Sequence, residues 1–296
     1  MSDFFFGYEG ILWVQSWHSP LLDWLAVAAS FLGTEFFYLL FVPIFYWCLS
    51  KRDGIRLAVV LLLSSYLSSF VKELFQTVRP DPGHVRVYYA SSAGGYSFPS
   101  GHAQNAVVFW GWLARIRPLR KVAWAFGALV LLISWSRIYL GLHFPVDVVG
   151  GWVLGGSLFL PLVFLDRRIS KRPRDWEGKI LPWAGVILPL VLLPVHNHIV
   201  QIRISGAMFG FCLGYLLESR LVQFSPRASW KLQTAKVLSG WSIGAAIAFL
   251  LKALLPHGDV FSFSGYAIMG LWVSLGFPAI YKCIVQRAER VNVACP

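Results

Sequence analysis

Lysine and arginine are missing from the first fifty residues, and charge of either sign is scarce throughout. Asp, Glu, Lys and Arg make up 14% of the 296 residues, against 57% hydrophobic. The first absence leaves no positive n-region, so a cleavable signal peptide is not expected. The second excludes an ordinary soluble domain, in which about a quarter of residues are charged. Acidic residues are scarcest, 14 against 26 basic, and no carboxylate cluster suggests a metal site. Cysteine is also rare. Cys48, Cys212, Cys283 and Cys295 lack metal-ligand spacing, and neither a zinc site nor a disulfide framework is indicated.

What the chain has is long apolar runs. A bilayer core of ~30 Å takes ~20 mostly apolar residues per helix. On that measure nine spans are predicted, at 21–50, 54–78, 101–114, 122–141, 143–165, 180–196, 199–217, 234–255 and 264–282. The first is interrupted by "FLGTE" (31–35), where it tilts or breaks. The aromatic stretch "FFFGYEGILWVQSW" reads as a helix lying in the membrane interface. The expected fold is therefore all-α, a polytopic membrane bundle with an N-terminal interfacial helix. It divides into that helix (1–19), a core (20–165) and accessory spans (166–296).

The net charge of +12 invites a nucleic-acid reading, and its distribution argues against one. Twenty of the 26 basic residues cluster at 51–56, 115–121, 167–179, 220–236 and 282–290, at every second turn of the nine-span chain. The positive-inside rule makes those turns cytoplasmic, with the N-terminus outside and the C-terminus inside. Lys72, Arg79, Arg86, Arg137, Arg203 and Lys252 are left toward the opposite face, as are all seven histidines. Charges near spans need a partner or a purpose.

Lys72 and Arg79 are seven apart, nearly two helical turns, and are expected on one helix face at the outer end of the second span. The "PSGH" corner (99–102) opens the third span. Ser100 and Gly101 there can present unpaired N–H groups at a helix N-terminus, where the dipole favours an anion. At the fourth turn, Ser136 and Arg137 precede His143, and Asp147 follows four residues later. On a helix that spacing lets Asp147 accept from one imidazole nitrogen and leaves the other as a base or nucleophile. Arg86 and the rest of loop 79–99 read as a headgroup pocket or as a solvated connector. Three cations, a helix start and two histidines suit a phosphoryl group.

Lys72–(six residues)–Arg79–Pro80, Pro99-Ser100-Gly101-His102, and Ser136-Arg137–(five)–His143–(three)–Asp147 resemble the three-part motif of the type 2 phosphatidic acid phosphatase superfamily. The resemblance covers about residues 20–165. It implies a metal-independent, cofactor-free membrane phosphatase acting through a phosphohistidine. By it, His143 is the nucleophile, Asp147 its orienter and His102 the general acid. Lys72, Arg79, Ser100, Gly101 and Arg137 then form the phosphate cradle. Simple bacterial members have six spans with the lysine motif on the third. Here the motif sits on the second with further spans after the site, a layout similar to the glucose-6-phosphatase and sphingosine-phosphate phosphatase branch.

The expected substrate is a lipid phosphate monoester: phosphatidate, phosphatidylglycerophosphate, a sphingoid-base phosphate or an isoprenyl phosphate. The expected site faces the exterior, periplasm or an organelle lumen. The competing readings are a sugar-phosphate phosphatase or phosphotransferase of the same superfamily, and a non-enzymatic anion transporter. Gly206, Gly210 and Gly214, at four-residue spacing, suit close helix packing within the chain or a homodimer face.

Overall fold

A computed structural model describes residues 2–284 except 93, 117, 118, 170–173, 197 and 257. Cys295, Arg287 and Arg290 lie outside the described residues. Every regular element among those described is helical. The expected interfacial segment is two short helices, α1 (Ser2–Phe6) and α2 (Glu9–Gln15). There follow α3 (Pro20–Phe31), α4 (Glu35–Ile44), α5 (Lys51–Phe75), α6 (Gly101–Ile116), α7 (Arg120–Tyr139) and α8 (Pro145–Ile169). The chain continues through α9 (Arg174–Leu192), α10 (Ile199–Leu217), α11 (Trp230–Leu254) and α12 (Asp259–Leu271).

Among the described residues, six helical stretches are long and apolar enough to cross a membrane: Lys51–Phe75, Arg120–Tyr139, Pro145–Leu165, Ile199–Val222, Trp230–Leu254 and Asp259–Ile284. A seventh is Pro20–Phe31 with Glu35–Leu49, bent by 54° at the break that "FLGTE" marks. The nine expected spans are thus six or seven by this measure. Two of the nine come out as shorter helices. Helix α6 has 16 residues, which at 1.5 Å per residue is about 24 Å, short of the ~30 Å core. The other is Pro182–Val195.

Helix ends follow local chemistry. The Ser50 side chain accepts the Asp53 N–H at 3.2 Å and starts α5. Helix α3 starts with Ser19 accepting from Leu22 and Pro20 in its first turn. Helix α5 stops at Phe75, where Gln76 turns to φ 48°. Lys72 and Arg79 therefore do not share a helix face, contrary to the spacing argument. Pro80 disfavours helical backbone at Arg79, and the helix releases the chain four residues earlier. Arg79 lies in an irregular segment.

The chain folds as two compact units, Met1–Leu40 with Leu63–Arg168, and Phe41–Leu62 with Ile169–Pro296. In the second unit a Cβ at Gly206 or Gly210 would meet the backbone of Phe263 or Ala267 on α12, and one at Gly214 would meet the Ser274 side chain. These glycines serve close packing within the chain. Lys51 pairs there with the buried Glu218 at 3.1 Å.

In the first unit the C-terminal half of α5 and the start of α6 run antiparallel, joined by polar rungs one turn apart. Lys72 Nζ donates to Ser97 O at 3.1 Å. Ser68 Oγ lies 3.1 Å from where a Cβ on Gly101 would be. Ser64 donates to Asn105 Oδ1 at 2.6 Å, and Gln104 Nε2 donates to Ser64 O at 2.8 Å. Helix α8 closes on the same corner. A Cβ on Gly151 would stand 2.6 Å from Ser100 O, and one on Gly155 2.8 Å from Gln104 O.

Candidate functional site

His143 lies in the turn between α7 and α8, two residues before the helix that was expected to begin with it. The turn needs Gly141, whose φ is +70° and whose missing Cβ would strike Arg86 O. His143 is 1% exposed and Asp147 2%. His143 Nδ1 and Asp147 Oδ2 are 3.4 Å apart. The same carboxylate oxygen accepts from Ser97 Oγ at 2.6 Å and from the Phe144 N–H at 2.9 Å.

On the other side of the ring, Arg79 Nη1 is 3.2 Å from Nε2 and donates to Leu142 O at 2.8 Å. A guanidinium only donates, so Nε2 holds the lone pair and Nδ1 carries the proton toward Asp147. Burial pushes the His143 pKa well below its usual value, and the charges of Arg79, Arg137 and Lys72 push it the same way. The ring is a neutral imidazole with its unprotonated nitrogen facing a cation.

The three cations are held by polar backbone and hydroxyl groups. Arg79 also donates to Gly95 O (2.9 Å), Gly94 O (2.8 Å) and Tyr96 O (3.2 Å), so all five of its N–H groups are engaged. Lys72 donates to Tyr96 O as well as Ser97 O, which brings it to the same strip of backbone as Arg79. Arg137, fully buried, donates to Ser30 Oγ on α3 (2.6 Å), Ser92 Oγ (3.0 Å) and Ser92 O (3.2 Å).

Ser100 Oγ, His102 Nε2 and Arg137 Nε are among the buried polar atoms of this neighbourhood that have no partner. An unpaired buried donor or acceptor costs roughly 1–3 kcal/mol. All three belong to residues that the motif singled out. The Ser100 N–H, expected to be open, instead donates to Asp147 O at 2.9 Å. What Ser100 offers is its hydroxyl. His102 sits against the α3–α4 break, where a Cβ on Gly33 would be 3.0 Å from its Cδ2. A side chain at Gly33 would press on Ile133 and on that imidazole.

Arg86 does not join Lys72, Arg79 and Arg137. It pairs with Asp23 and lies 5.4 Å from the Tyr88 ring centre. Gln15 of α2 donates to Arg86 O (2.7 Å) and Tyr139 O (2.9 Å) and accepts from the Arg86 N–H. Loop 79–99 is thereby pinned to the N-terminal helices and the end of α7. Ser97, Ser92 and Ser30 were not singled out from sequence. Serine is too common for its type to signal such a role. The one local cue for Ser97 is its place two residues before Pro99.

Among the described residues no group of three or more His, Cys, Asp or Glu side chains is placed to hold a metal ion. Cys48, Cys212 and Cys283 are free thiols.

Residues 53–170 match the family model of the PAP2 superfamily, and residues 202–288 match that of the PAP2 superfamily phosphatase transmembrane extension. A probable sphingosine-1-phosphate phosphatase of Dictyostelium discoideum is 29% identical over 203 residues, covering 64% of this chain and 48% of that protein. Phosphatidylglycerophosphatase B of Bacillus subtilis is 30% identical over 165 residues, covering 51% of this chain and 79% of that protein. A crystal structure of a transmembrane PAP2-type phosphatidylglycerolphosphate phosphatase from Bacillus subtilis aligns with a TM-score of 0.47 at 26% identity. That alignment covers 54% of this chain and 83% of the other. The chain thus spans about half of the first relative and four fifths of the second.

Proposed function

The chain belongs to the PAP2 superfamily, and on that premise we propose that it is an integral membrane phosphatase that hydrolyses a lipid phosphate monoester through a phosphohistidine. The observation that carries this reading is the His143 ring. It is neutral and buried, with Nδ1 toward Asp147 and Nε2 toward Arg79, beside two further cations and three unpartnered polar atoms.

In the proposed reaction the substrate phosphoryl takes the Arg79 N–H that now faces Nε2. Arg137 Nε, Lys72, Ser100 Oγ and the Gly101 N–H surround the phosphoryl oxygens, where charge builds in the transition state. Nε2 attacks phosphorus and the ester P–O bond breaks. The departing alkoxide takes a proton from His102 in its imidazolium form, which leaves that ring neutral. Asp147 keeps the proton on Nδ1 and stabilises the cationic ring. Water, losing a proton to His102, then attacks the phosphohistidine and releases inorganic phosphate. The cations supply charge that a metal supplies in other phosphatases, and we assign no cofactor.

All the residues given a role fall in the unit that contains Leu63–Arg168. We assign the chemistry to the core within 20–165, interface contact to 1–19 and an accessory role to 166–296. By the positive-inside rule the basic clusters favour a site on the exterior or lumenal side and a cytoplasmic C-terminus. A site at that interface leaves an acyl or prenyl tail in lipid while the phosphate enters the cradle. Relatives named for sphingosine-1-phosphate and phosphatidylglycerophosphate favour this class over sugar phosphates.

The test is phosphate release by purified protein in EDTA. The panel is phosphatidate, phosphatidylglycerophosphate, sphingosine phosphate, an isoprenyl phosphate and glucose 6-phosphate. Turnover of at least one lipid phosphate, well above that of glucose 6-phosphate, is expected. No release from any lipid, or release only after Mg²⁺ is restored, overturns the reading.

A further inference from the structure

One buried hydroxyl beside the cradle has no role in this chemistry. Ser68 lies one helical turn before Lys72 on α5, on the same face. The residue is 5% exposed, and its Oγ has no hydrogen-bond partner. The middle polar rung between α5 and α6 is this hydroxyl against Gly101, 3.1 Å from the position of the missing Cβ. The rungs on either side are both satisfied, Lys72 by backbone carbonyls and Ser64 by Asn105 and Gln104. A serine in a helix ordinarily relieves its hydroxyl on a carbonyl of the preceding turn. Ser239 of α11 does so, donating to Ala235 O at 2.7 Å. Ser68 does not, although the same relief is within reach of any helical serine.

A buried hydroxyl held away from its own backbone and against a glycine of the anion site is a donor waiting for an acceptor. We propose that Ser68 is a substrate-binding residue, its Oγ–H donating to a non-bridging phosphoryl oxygen from the α5 side of the cradle. The phosphoryl then meets two residues of α5, Lys72 as a charge and Ser68 as a directed donor. The corner at Ser100–Gly101 lies opposite. Gly101 has a second reason to lack a side chain, because a Cβ there would press on the Ser68 hydroxyl.

This inference rests on the phosphatase reading, and the test separates the two. Vanadate inhibition and kcat/KM are measured for wild type, Ser68→Ala and Ser68→Cys, with p-nitrophenyl phosphate and a lipid phosphate. Thermal midpoints are taken without anion. A hydrogen bond to a charged oxygen contributes enough that its loss should lower kcat/KM roughly tenfold to a hundredfold and weaken vanadate by a similar factor. The loss should be equal for both substrates, because the contact is to the phosphoryl and not to the leaving group. The unliganded midpoint of Ser68→Ala should stay the same or rise, since an unsatisfied buried hydroxyl has gone. A residue that is merely structural would lower the midpoint and leave vanadate alone. Ser68→Cys keeps the volume with a weak donor and decides the matter if the alanine variant folds poorly. Vanadate constants and kcat/KM within twofold of wild type in a folded variant overturn the role of Ser68. A wild type that neither turns over nor binds vanadate overturns the phosphatase reading instead.

Discussion

Ser97 Oγ is 2.6 Å from Asp147 Oδ2, while His143 Nδ1 stands 3.4 Å from that same oxygen and 3.4 Å from Ser97 Oγ. The carboxylate is therefore fixed more tightly by the serine than by the histidine beside it. Ser97 sits in loop 79–99, and its carbonyl takes Lys72 Nζ. One residue thus links Lys72 to the Asp147–His143 pair.

Removing that hydroxyl should loosen Asp147 without touching the phosphoryl. Ser97→Ala leaves the Phe144 N–H as the remaining fixed donor to Oδ2. A hydrogen bond to a charged group contributes ~1.5–3 kcal/mol, so phosphorylation of His143 should slow by about tenfold to a hundredfold. KM should change little. Single-turnover phosphorylation with p-nitrophenyl phosphate reads this directly, and an unchanged rate removes Ser97 from the mechanism.

The His143 pKa makes a prediction about pH. The nucleophile must be neutral, and burial together with Arg79, Arg137 and Lys72 lowers its pKa. Protonation of His143 should therefore cut kcat/KM only below the ordinary imidazole value of about 6.5. Arg79→Gln removes the largest of the depressing charges. The His143 pKa then rises, and the acid limb moves to higher pH on a lower absolute rate. The comparison uses one substrate, so ionisation of its own phosphate cancels. A limb that stays put, or moves toward acid, contradicts the assignment of His143 as the titrating nucleophile.

The residues of the candidate cradle could be read in the sequence because each carries chemistry that few residue types supply. Lysine, arginine and histidine among apolar runs are conspicuous. The serines that hold them are not. Ser30 and Ser92 meet Arg137 from 107 and 45 residues away, and no local pattern announces such contacts. Helical spacing misled at Arg79, because the left-handed turn at Gln76 is a tertiary solution with no marker beyond Pro80. Hydropathy located the apolar helices. Two of the runs, 101–114 and 180–196, are already short in the sequence, and as α6 and Pro182–Val195 they do not reach a full span.

Orientation rests on charge, and labelling can test it. Pro82 lies in loop 79–99 and Ser225 between α10 and α11, both exposed. Single cysteines at these positions, in a cysteine-free background, meet an impermeant thiol reagent in sealed right-side-out membranes. Pro82→Cys should label without detergent and Ser225→Cys only after it is added. The reverse pattern would place the site on the cytoplasmic side.

The two histidines should separate by leaving group. His143→Ala removes the attacking nitrogen, so phosphoenzyme and turnover should vanish with every substrate. His102 is assigned the proton for the departing alkoxide, and its Nε2 has no protein partner to divert it. General acid catalysis is typically worth ~10²–10⁴-fold. An alkyl alkoxide needs that proton, whereas p-nitrophenolate leaves almost as readily without it. His102→Ala should therefore slow phosphorylation by a lipid phosphate by two or more orders of magnitude, roughly as general acids contribute. Phosphorylation by p-nitrophenyl phosphate should suffer far less. Dephosphorylation should slow equally for both, because the same phosphohistidine is hydrolysed and His102 is then the base. Rapid-quench measurement of both half-reactions isolates each effect. Equal damage to phosphorylation by the two substrates would mean that His102 positions the phosphoryl and does not protonate the leaving group.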